Sequence, residues 1–473
     1  MRGTRAGRLP WPLFAVLAVQ AALSASLLRA RTAFGDEALY LSAGHLEWSH
    51  WLHGTQIPAY QTWFSGAPVI YPPVGAVADR LGGLGAARLL SLVLMLGVTA
   101  LAWGTAVRLL EDKRAAFFAA ALFAVLAPTL HLGAYATYDA PALLLLAAAA
   151  WCAAGARSGP RPVRWIIAAG IVLALANATK YATALYDPVV LAVAVASSWP
   201  QTGRKAALLR AVLLGGTAAA VLGAALALGG PGYLTGIRVT TTGRAHGTDA
   251  AALVFTDAWS WTAVAVVPAV AAAVVGALRR RWALALLLAV LALAALLAPA
   301  DQARIATATS LNKHVDFGAW FAAIAAGYLL SALTRRRPVL AGALAALIPA
   351  ASLGLVQAQA MIDWPDETGL VRVVAPLTAP GGHFLVETSD VLQYYLPETN
   401  WRQWSSTSGS SLPYYQQAIG RHYYSLVILN FNQTPAADDA IAFDLSAAGG
   451  YALTDRVRSG RTVFYVWRYL GRV

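Results

Sequence analysis

Residues 34–40 read FGDEALY and come shortly after the apolar run Trp11–Leu28. The carboxylates of Asp36 and Glu37 therefore stand just beyond a first hydrophobic segment, where they can serve as a general base or as hard oxygen ligands for a divalent cation. A long polar and aromatic stretch separates this pair from the next apolar run. This order predicts a membrane-spanning helix followed by a loop that carries chemistry at the membrane surface.

The composition points to a membrane protein. Hydrophobic residues make up 58% of the 473 positions and charged residues only 12%, too few for the surface of an ordinary soluble protein. Apolar runs of about 18 residues or more predict membrane-spanning helices, and the chain has about eleven candidates. They lie near Trp11–Leu28, Ala86–Leu110, Ala115–Leu132, Ala140–Ala156, Trp165–Ala178, Tyr181–Ser197, Leu208–Leu228, Trp259–Leu278, Trp282–Pro299, Val315–Leu333 and Val339–Val356.

The placement of basic residues predicts the orientation. Lys and Arg precede the first run and then occupy alternate connections: Arg2, Arg5 and Arg8, then Arg108/Lys113/Arg114, Arg157/Arg161/Arg164, Arg204/Lys205/Arg210, Arg279/Arg280/Arg281 and Arg335/Arg336/Arg337. This positive-inside pattern predicts a multi-pass protein of the cell membrane with a cytoplasmic N-terminus and an extracytoplasmic C-terminal part. The net charge of +13 is then a topology signal, and we expect no nucleic-acid partner.

Two domains are expected. Residues 1–356 form a helical membrane domain, which includes a first outer loop at about 29–85. Residues 357–473 are less apolar and are punctuated by Pro, Gly and Ser. They have strand-like runs at His383–Glu387, Tyr423–Phe431 and Thr462–Tyr469, so they predict a small α/β domain on the outer face.

Further polar residues fall on the predicted outer connections. Asp139 opens an apolar run, where it acts either as a helix N-cap or in a site. Lys180 either snorkels to lipid headgroups or binds a phosphate. Arg244, Arg304, Lys313 and His314 also lie on this side, where cations suit an anionic headgroup or a lipid phosphate, with interface anchoring as the alternative.

Four passages in order carry a family resemblance. They are GDEALY at 35–40, YPPVG at 71–75, ARLLS at 87–91 and YDAP at 138–141. Over roughly residues 30–330 the chain resembles membrane glycosyltransferases of the GT-C superfamily, close to the family 39 dolichyl-phosphate-mannose-protein mannosyltransferase-like and bacterial aminoarabinose transferase-like groups. One departure is Tyr71, which stands where bacterial relatives often have a basic residue before the Pro-Pro pair.

The resemblance implies inverting transfer of a sugar from a polyprenyl-monophosphate donor to a hydroxyl acceptor on the outer face. It implies that Asp36 is the general base, that Glu37 supports it, and that Asp139 orients the acceptor. A divalent cation (Mg, Mn, Ca or Zn) on Asp36 and Asp139 is the open cofactor alternative. The expected contacts are the donor phosphate with Lys313, His314, Arg304, Lys180 and Arg244, and substrate with Tyr40, Tyr71 and Tyr138.

Two other classes of protein fit many spans with outward-facing charges. One is a transporter or lipid flippase, although charged residues are nearly absent from the middles of the runs, where transporters keep coupling sites. The other is a non-catalytic scaffold of the cell envelope. The sequence leaves open the sugar, the acceptor (protein, lipid or polysaccharide), the lipid chain length, the oligomeric state and the role of the C-terminal domain.

Overall fold

The computed structural model describes residues 11–28, 31–157 and 161–471; Arg2, Arg5 and Arg8 lie outside them. The chain forms two compact units. The first comprises the described parts of Met1–Leu28 and Ser49–Ile362, and the second those of Arg29–Trp48 and Asp363–Val473. The segment with Asp36 and Glu37 therefore belongs to the same unit as the C-terminal residues.

The first unit is made of helices, and the helix Gly35–His53 begins in the second unit and ends in the first. They are α1 (Trp11–Ala25), α2 (Gly35–His53), α3 (Tyr71–Leu110), α4 (Lys113–Ala124), α5 (Ala127–Leu132), α6 (Asp139–Gly155), α7 (Pro162–Thr179), α8 (Asp187–Gly229), α9 (Pro231–Thr240), α10 (Ala251–Leu278), α11 (Trp282–Leu293), α12 (Leu297–Arg304), α13 (Leu311–Leu333) and α14 (Arg337–Ala360). Short 3₁₀ helices cover Tyr60–Thr62, Tyr181–Tyr186 and Ala294–Leu296. Within the described chain, seven helical stretches are long and apolar enough to cross a membrane, so this is a multi-pass membrane protein.

Each predicted apolar run is helical in the structure. Some helices are joined or divided at positions other than those predicted. The runs predicted at Tyr181–Ser197 and Leu208–Leu228 both fall within the stretch Tyr181–Gly229, which is interrupted at Gly203, where φ is +77°. Leu191 from the first half packs on Gly215 from the second, so α8 folds back on itself. The run predicted at Ala115–Leu132 is divided, because α4 ends at Ala124 and α5 starts at Ala127 with Pro128 in its first turn.

Helix α13 is at the centre of the first unit. Most of its apolar residues are buried, and it packs on α4, α10 and α11. Small residues make this packing close: a Cβ on Gly327 would lie 2.3 Å from the carbonyl oxygen of Ala115. In a bilayer the lipid is as apolar as the side chains, so close backbone packing of this kind holds the helices together.

The second unit contains a five-stranded sheet. Its elements after α14 are α15 (Thr368–Val374), β1 (Phe384–Val386), α16 (Asp390–Tyr395), β2 (Trp404–Ser406), α17 (Leu412–Gly420), β3 (Leu426–Leu429), α18 (Pro435–Ala448), β4 (Tyr451–Ser459) and β5 (Thr462–Tyr469). The strand order is β2-β1-β3-β5-β4; β1 pairs in parallel with β2 and β3, and β5 runs antiparallel to β3 and β4.

The sheet is covered on both faces, which confirms the expected α/β character. One apolar cluster joins Phe384, Val386 and Ile428 to α15 and α16, and the other joins Leu385 and Val427 to α17 and α18. The three strands expected from the sequence are present, and the last has the predicted bounds. The sequence reading missed β2 and β4, of which β2 is short and β4 carries charged residues on its exposed side.

The packing of Gly327 generates a test. Gly327→Ala should lower the apparent melting temperature of the purified protein in detergent, because the new methyl group meets backbone; overpacking of this kind costs about 1–3 kcal/mol. Gly342→Ala on the exposed side of α14 is the matched control, since a Cβ there meets nothing within 4 Å. Equal melting temperatures for the two variants would contradict the close packing of α13 on α4.

Candidate functional site

A buried ion pair lies at the start of α6 in the first unit. Lys180 Nζ donates to Asp139 Oδ1, and the exposed fractions of the two side chains are 3% and 0%. Thr137 Oγ1 donates to the second carboxylate oxygen at 2.9 Å. Asp139 is the first helical residue, and Tyr138 is the N-cap, so the reading of Asp139 as the helix N-cap is wrong.

The connection between α7 and α8 fixes the position of Lys180. Asn177 donates through Nδ2 to the Asp187 carboxylate at 2.9 and 3.1 Å. Thr183 Oγ1 bonds both Asn177 Oδ1 (2.6 Å) and the carbonyl of Lys180 (2.9 Å). These bonds close a turn after α7, with Lys180 in extended conformation at its end.

A strap from the first long loop, residues 65–67, packs against this turn. Ala67 N donates to Ala178 O (2.7 Å), and Tyr181 N donates to Ser65 O (2.9 Å). Between these bonds, a Cβ on Gly66 would lie 2.0 Å from Thr179 O, so the strap has no space for a side chain there. The Ser65 hydroxyl also bonds the Tyr138 hydroxyl, which connects the strap to the residue before Asp139.

Two further basic residues at the start of α13 belong to this cluster. Lys313 is buried, with Nζ 5.6 Å from the centre of the Tyr135 ring, and that ring stacks on His131. His314 Nδ1 accepts from Gln302 Nε2 at 3.1 Å. The Asp139 carboxylate interacts electrostatically with the side chains of Lys180, Lys313 and His314.

We call Asp139, Lys180, Lys313 and His314 the cation centre. One carboxylate in it faces two buried ammonium groups, and charge removed from water in this way is costly unless it is compensated. Such a centre suits an anionic ligand, above all a phosphate, which accepts several charge-assisted hydrogen bonds.

Other predicted residues of this unit lie around the cation centre or elsewhere. Arg244 interacts electrostatically with His314. Arg304 forms an exposed ion pair with Asp301 at 2.8 Å. Tyr71 is buried at the start of α3. Sequence reasoning gave no role to His131 or Arg88, which interact with one another; the only signal was that Arg88 is a charge inside an apolar helix.

The second unit holds Asp36, Glu37 and Tyr40 in the first turns of α2. Glu37 is fully buried, and its Oε2 accepts from the backbone N–H of Phe34 at 3.0 Å, so it closes the start of the helix. Asp36 is half-buried and Tyr40 is buried. Glu37 thus holds the start of the helix, and Asp36 is the neighbouring carboxylate in the same turn.

Two carboxyl groups near Asp36 were not found from the sequence. Burial and the charge of Asp36 raise the pKa of Asp390 to about 7. Burial, followed by the charges of Asp390 and Asp366, raises the pKa of Glu367 to about 8. Asp36, Asp390 and Glu367 thus form a chain of interacting acids, assembled from positions more than three hundred residues apart.

The described residues do not form a metal site. None of their His, Cys, Asp or Glu side chains come together in a group of three or more that could hold an ion. Around Asp139 the carboxylate partners are an ammonium and a hydroxyl, which are not a ligand set for a divalent cation.

Comparisons with known proteins bear on this arrangement. The dolichyl-phosphate-mannose-protein mannosyltransferase family matches residues 82–226. The structure of ArnT from Cupriavidus metallidurans, solved in the apo state and bound to undecaprenyl phosphate, is similar with a TM-score of 0.64; the apo match has 15% identity and covers 96% of this chain and 97% of that one. A search of curated proteins found no match.

An archaeal oligosaccharyltransferase, AglB from Archaeoglobus fulgidus in complex with an inhibitory peptide and a dolichol-phosphate, is similar with a TM-score of 0.57 and 14% identity, over 96% of this chain and 74% of that one. The same oligosaccharyltransferase has been solved with Zn and sulfate. The chain has the GT-C fold. The GT-C resemblance expected from the sequence is confirmed, and the comparisons give no support to a transporter or flippase.

The chain of interacting acids in the second unit predicts a pH dependence of stability. The pKa values of Glu367 and Asp390 rise from 4.5 and 3.8 to about 8 and about 7 on folding. The folded state therefore binds more protons than the unfolded state in this window, and the free energy of unfolding falls as pH rises from about 4 to about 8. The apparent melting temperature should decline over that range.

The double variant Glu367→Gln/Asp390→Asn should show a clearly shallower decline, because the groups that lose protons are gone. Asp439→Asn, at an exposed position of α18, should keep the wild-type slope. A double variant with the wild-type slope would show that these two carboxyl groups do not titrate as described.

Proposed function

We propose that this protein is an inverting glycosyltransferase that moves a sugar from a polyprenyl-monophosphate donor to a hydroxyl acceptor on the outer face of the membrane. The observation that carries the proposal is the cation centre, which is buried in a chain with the GT-C fold. The mannosyltransferase-family match and the neighbour bound to undecaprenyl phosphate support a donor of this class.

The cation centre acts on the leaving group. In the transfer, the bond between the anomeric carbon and the phosphate oxygen breaks, and its electron pair stays on the phosphate. Lys180, Lys313 and His314 stabilise that charge as it develops, with Arg244 beside His314. Asp139 acts through Lys180, because it holds the ammonium in place until the phosphate binds. Arg304, paired with Asp301, contributes at the margin.

Asp36 acts on the acceptor. A hydroxyl is a poor nucleophile near neutral pH, and the Asp36 carboxylate takes its proton while the oxygen bonds to the anomeric carbon. Attack from the side opposite the phosphate inverts the anomeric configuration. Glu37 holds the first turn of α2, and Tyr40, Tyr71 and Tyr138 contact the substrates. For the expected divalent cation, the support is the neighbour solved with Zn and sulfate, and no step of the reaction is assigned to it.

The orientation and domains follow the same proposal. The basic connections lie in the cytoplasm with the N-terminus. Residues 1–356 are the catalytic domain, and residues 357–473 are an extracytoplasmic domain. The partners are the lipid-linked donor, an acceptor and membrane lipids; the neighbour tethered to an acceptor peptide supports an acceptor in general, without its class.

The test is an assay of purified protein with a panel of polyprenyl-phosphate sugars, scored by release of the lipid phosphate. One donor should support release, and Asp36→Asn should lower its rate by roughly 10²–10⁴-fold, because the amide keeps the size but accepts no proton. Asp439→Asn serves as the control at an exposed carboxylate. Near-normal turnover by Asp36→Asn would remove Asp36 from the role of base, and release from no donor would contradict the function.

A further inference from the structure

Residues 31–34, which lead into α2, are bonded almost one by one to the C-terminal part of the second unit. Thr32 makes three of these hydrogen bonds. Its hydroxyl accepts from Glu367 N (3.0 Å) and donates to Pro365 O (3.4 Å). Its carbonyl accepts from Trp364 Nε1 at 2.9 Å. Thr32 is 9% exposed, so these bonds are shielded from water.

The neighbours of Thr32 are held in the same way. Ala33 N donates to the Tyr395 hydroxyl at 2.9 Å. The Phe34 ring packs on the Trp364 ring, with 5.1 Å between centres. The Arg31 guanidinium donates to the carbonyl of Trp364. Two separate segments of the C-terminal part, 364–367 and α16, therefore hold residues 31–34 in place. We call this set of contacts the clamp.

Phe34 connects the clamp to the helix turn that carries Asp36. Phe34 is the residue before α2, its N–H is bonded by Glu37, and its carbonyl accepts the first helical bond from Ala38 N at 2.9 Å. The start of α2 is thus fixed to Phe34, and Phe34 is fixed to Trp364. Asp36 lies in that first turn, so its position depends on contacts made more than three hundred residues later in the chain.

We propose that Thr32, Trp364 and Tyr395 are positioning residues for Asp36, and that the C-terminal domain thereby sets the geometry of the catalytic carboxylate. The inference rests on the proposed role of Asp36 as the base. It gives the C-terminal domain a function in the reaction itself. Because a displacement of about 1 Å at a reacting group can cost about 10²-fold in rate, loosening this clamp should lower kcat while the KM for the donor stays unchanged.

The experiment compares Thr32→Val with Thr32→Ser in the transfer assay with full-length protein. Valine keeps the shape and removes the hydroxyl, so we expect kcat to fall between about 10- and 100-fold at unchanged donor KM. Serine restores the hydroxyl and should restore most of kcat. Thr378→Val is the matched control, since Thr378 Oγ1 bonds only the nearby Ala375 O (2.9 Å) among the hydrogen bonds of the described chain, and it should keep wild-type kcat.

Trp364→Phe provides a second test that retains an aromatic ring and loses the indole donor. A fall in kcat without a rise in donor KM supports the clamp; wild-type kcat in both Thr32→Val and Trp364→Phe overturns it. Asp36→Asn measured alongside separates the two proposals. Inactive Asp36→Asn with fully active clamp variants overturns the clamp alone, whereas active Asp36→Asn overturns the assignment of the base.

Discussion

The buried ion pair between Lys180 and Asp139 organises the cation centre of the first unit. Both side chains are almost fully removed from solvent, and an ammonium or carboxylate in such a place is strongly destabilising without its partner. Lys313 and His314 also interact electrostatically with the Asp139 carboxylate. This group of basic side chains around one carboxylate is what makes the cation centre suited to a phosphate.

Much of the local structure serves to hold this pair. The turn closed by Asn177, Thr183 and Asp187 presents Lys180, and the strap at 65–67 packs on that turn. Gly66 is required there because the Thr179 carbonyl occupies the space of a side chain. In the second unit, two features fix the position of Asp36: Glu37 caps the start of α2, and the clamp holds residues 31–34.

The sequence predicts the parts of this protein that depend on local pattern. Apolar runs are long enough to mark the helices, and a run of β-branched and aromatic residues marks the strand Thr462–Tyr469. Asp139 and Lys180 stand out as polar residues beside apolar runs, but their pairing over 41 positions is a product of the fold. No local pattern marks Asp390 and Glu367. Burial and the charge of Asp36 raise the pKa of Asp390, and burial and the charges of Asp390 and Asp366 raise the pKa of Glu367, so both shifts are products of the fold.

Binding of the donor phosphate by the cation centre is measured as the affinity of purified protein for a polyprenyl monophosphate without sugar. Lys180→Met should weaken binding about tenfold or more, because a charge-assisted hydrogen bond is worth about 1.5–3 kcal/mol. Asp139→Asn should also weaken binding, because the carboxylate that holds the Lys180 ammonium in place is lost. The double variant provides a folded reference without an unpaired buried charge, and all proteins are compared in one lipid mixture because anionic lipids compete for the same cations. Wild-type affinity in folded Lys180→Met and in the double variant would show that the cation centre does not bind the phosphate.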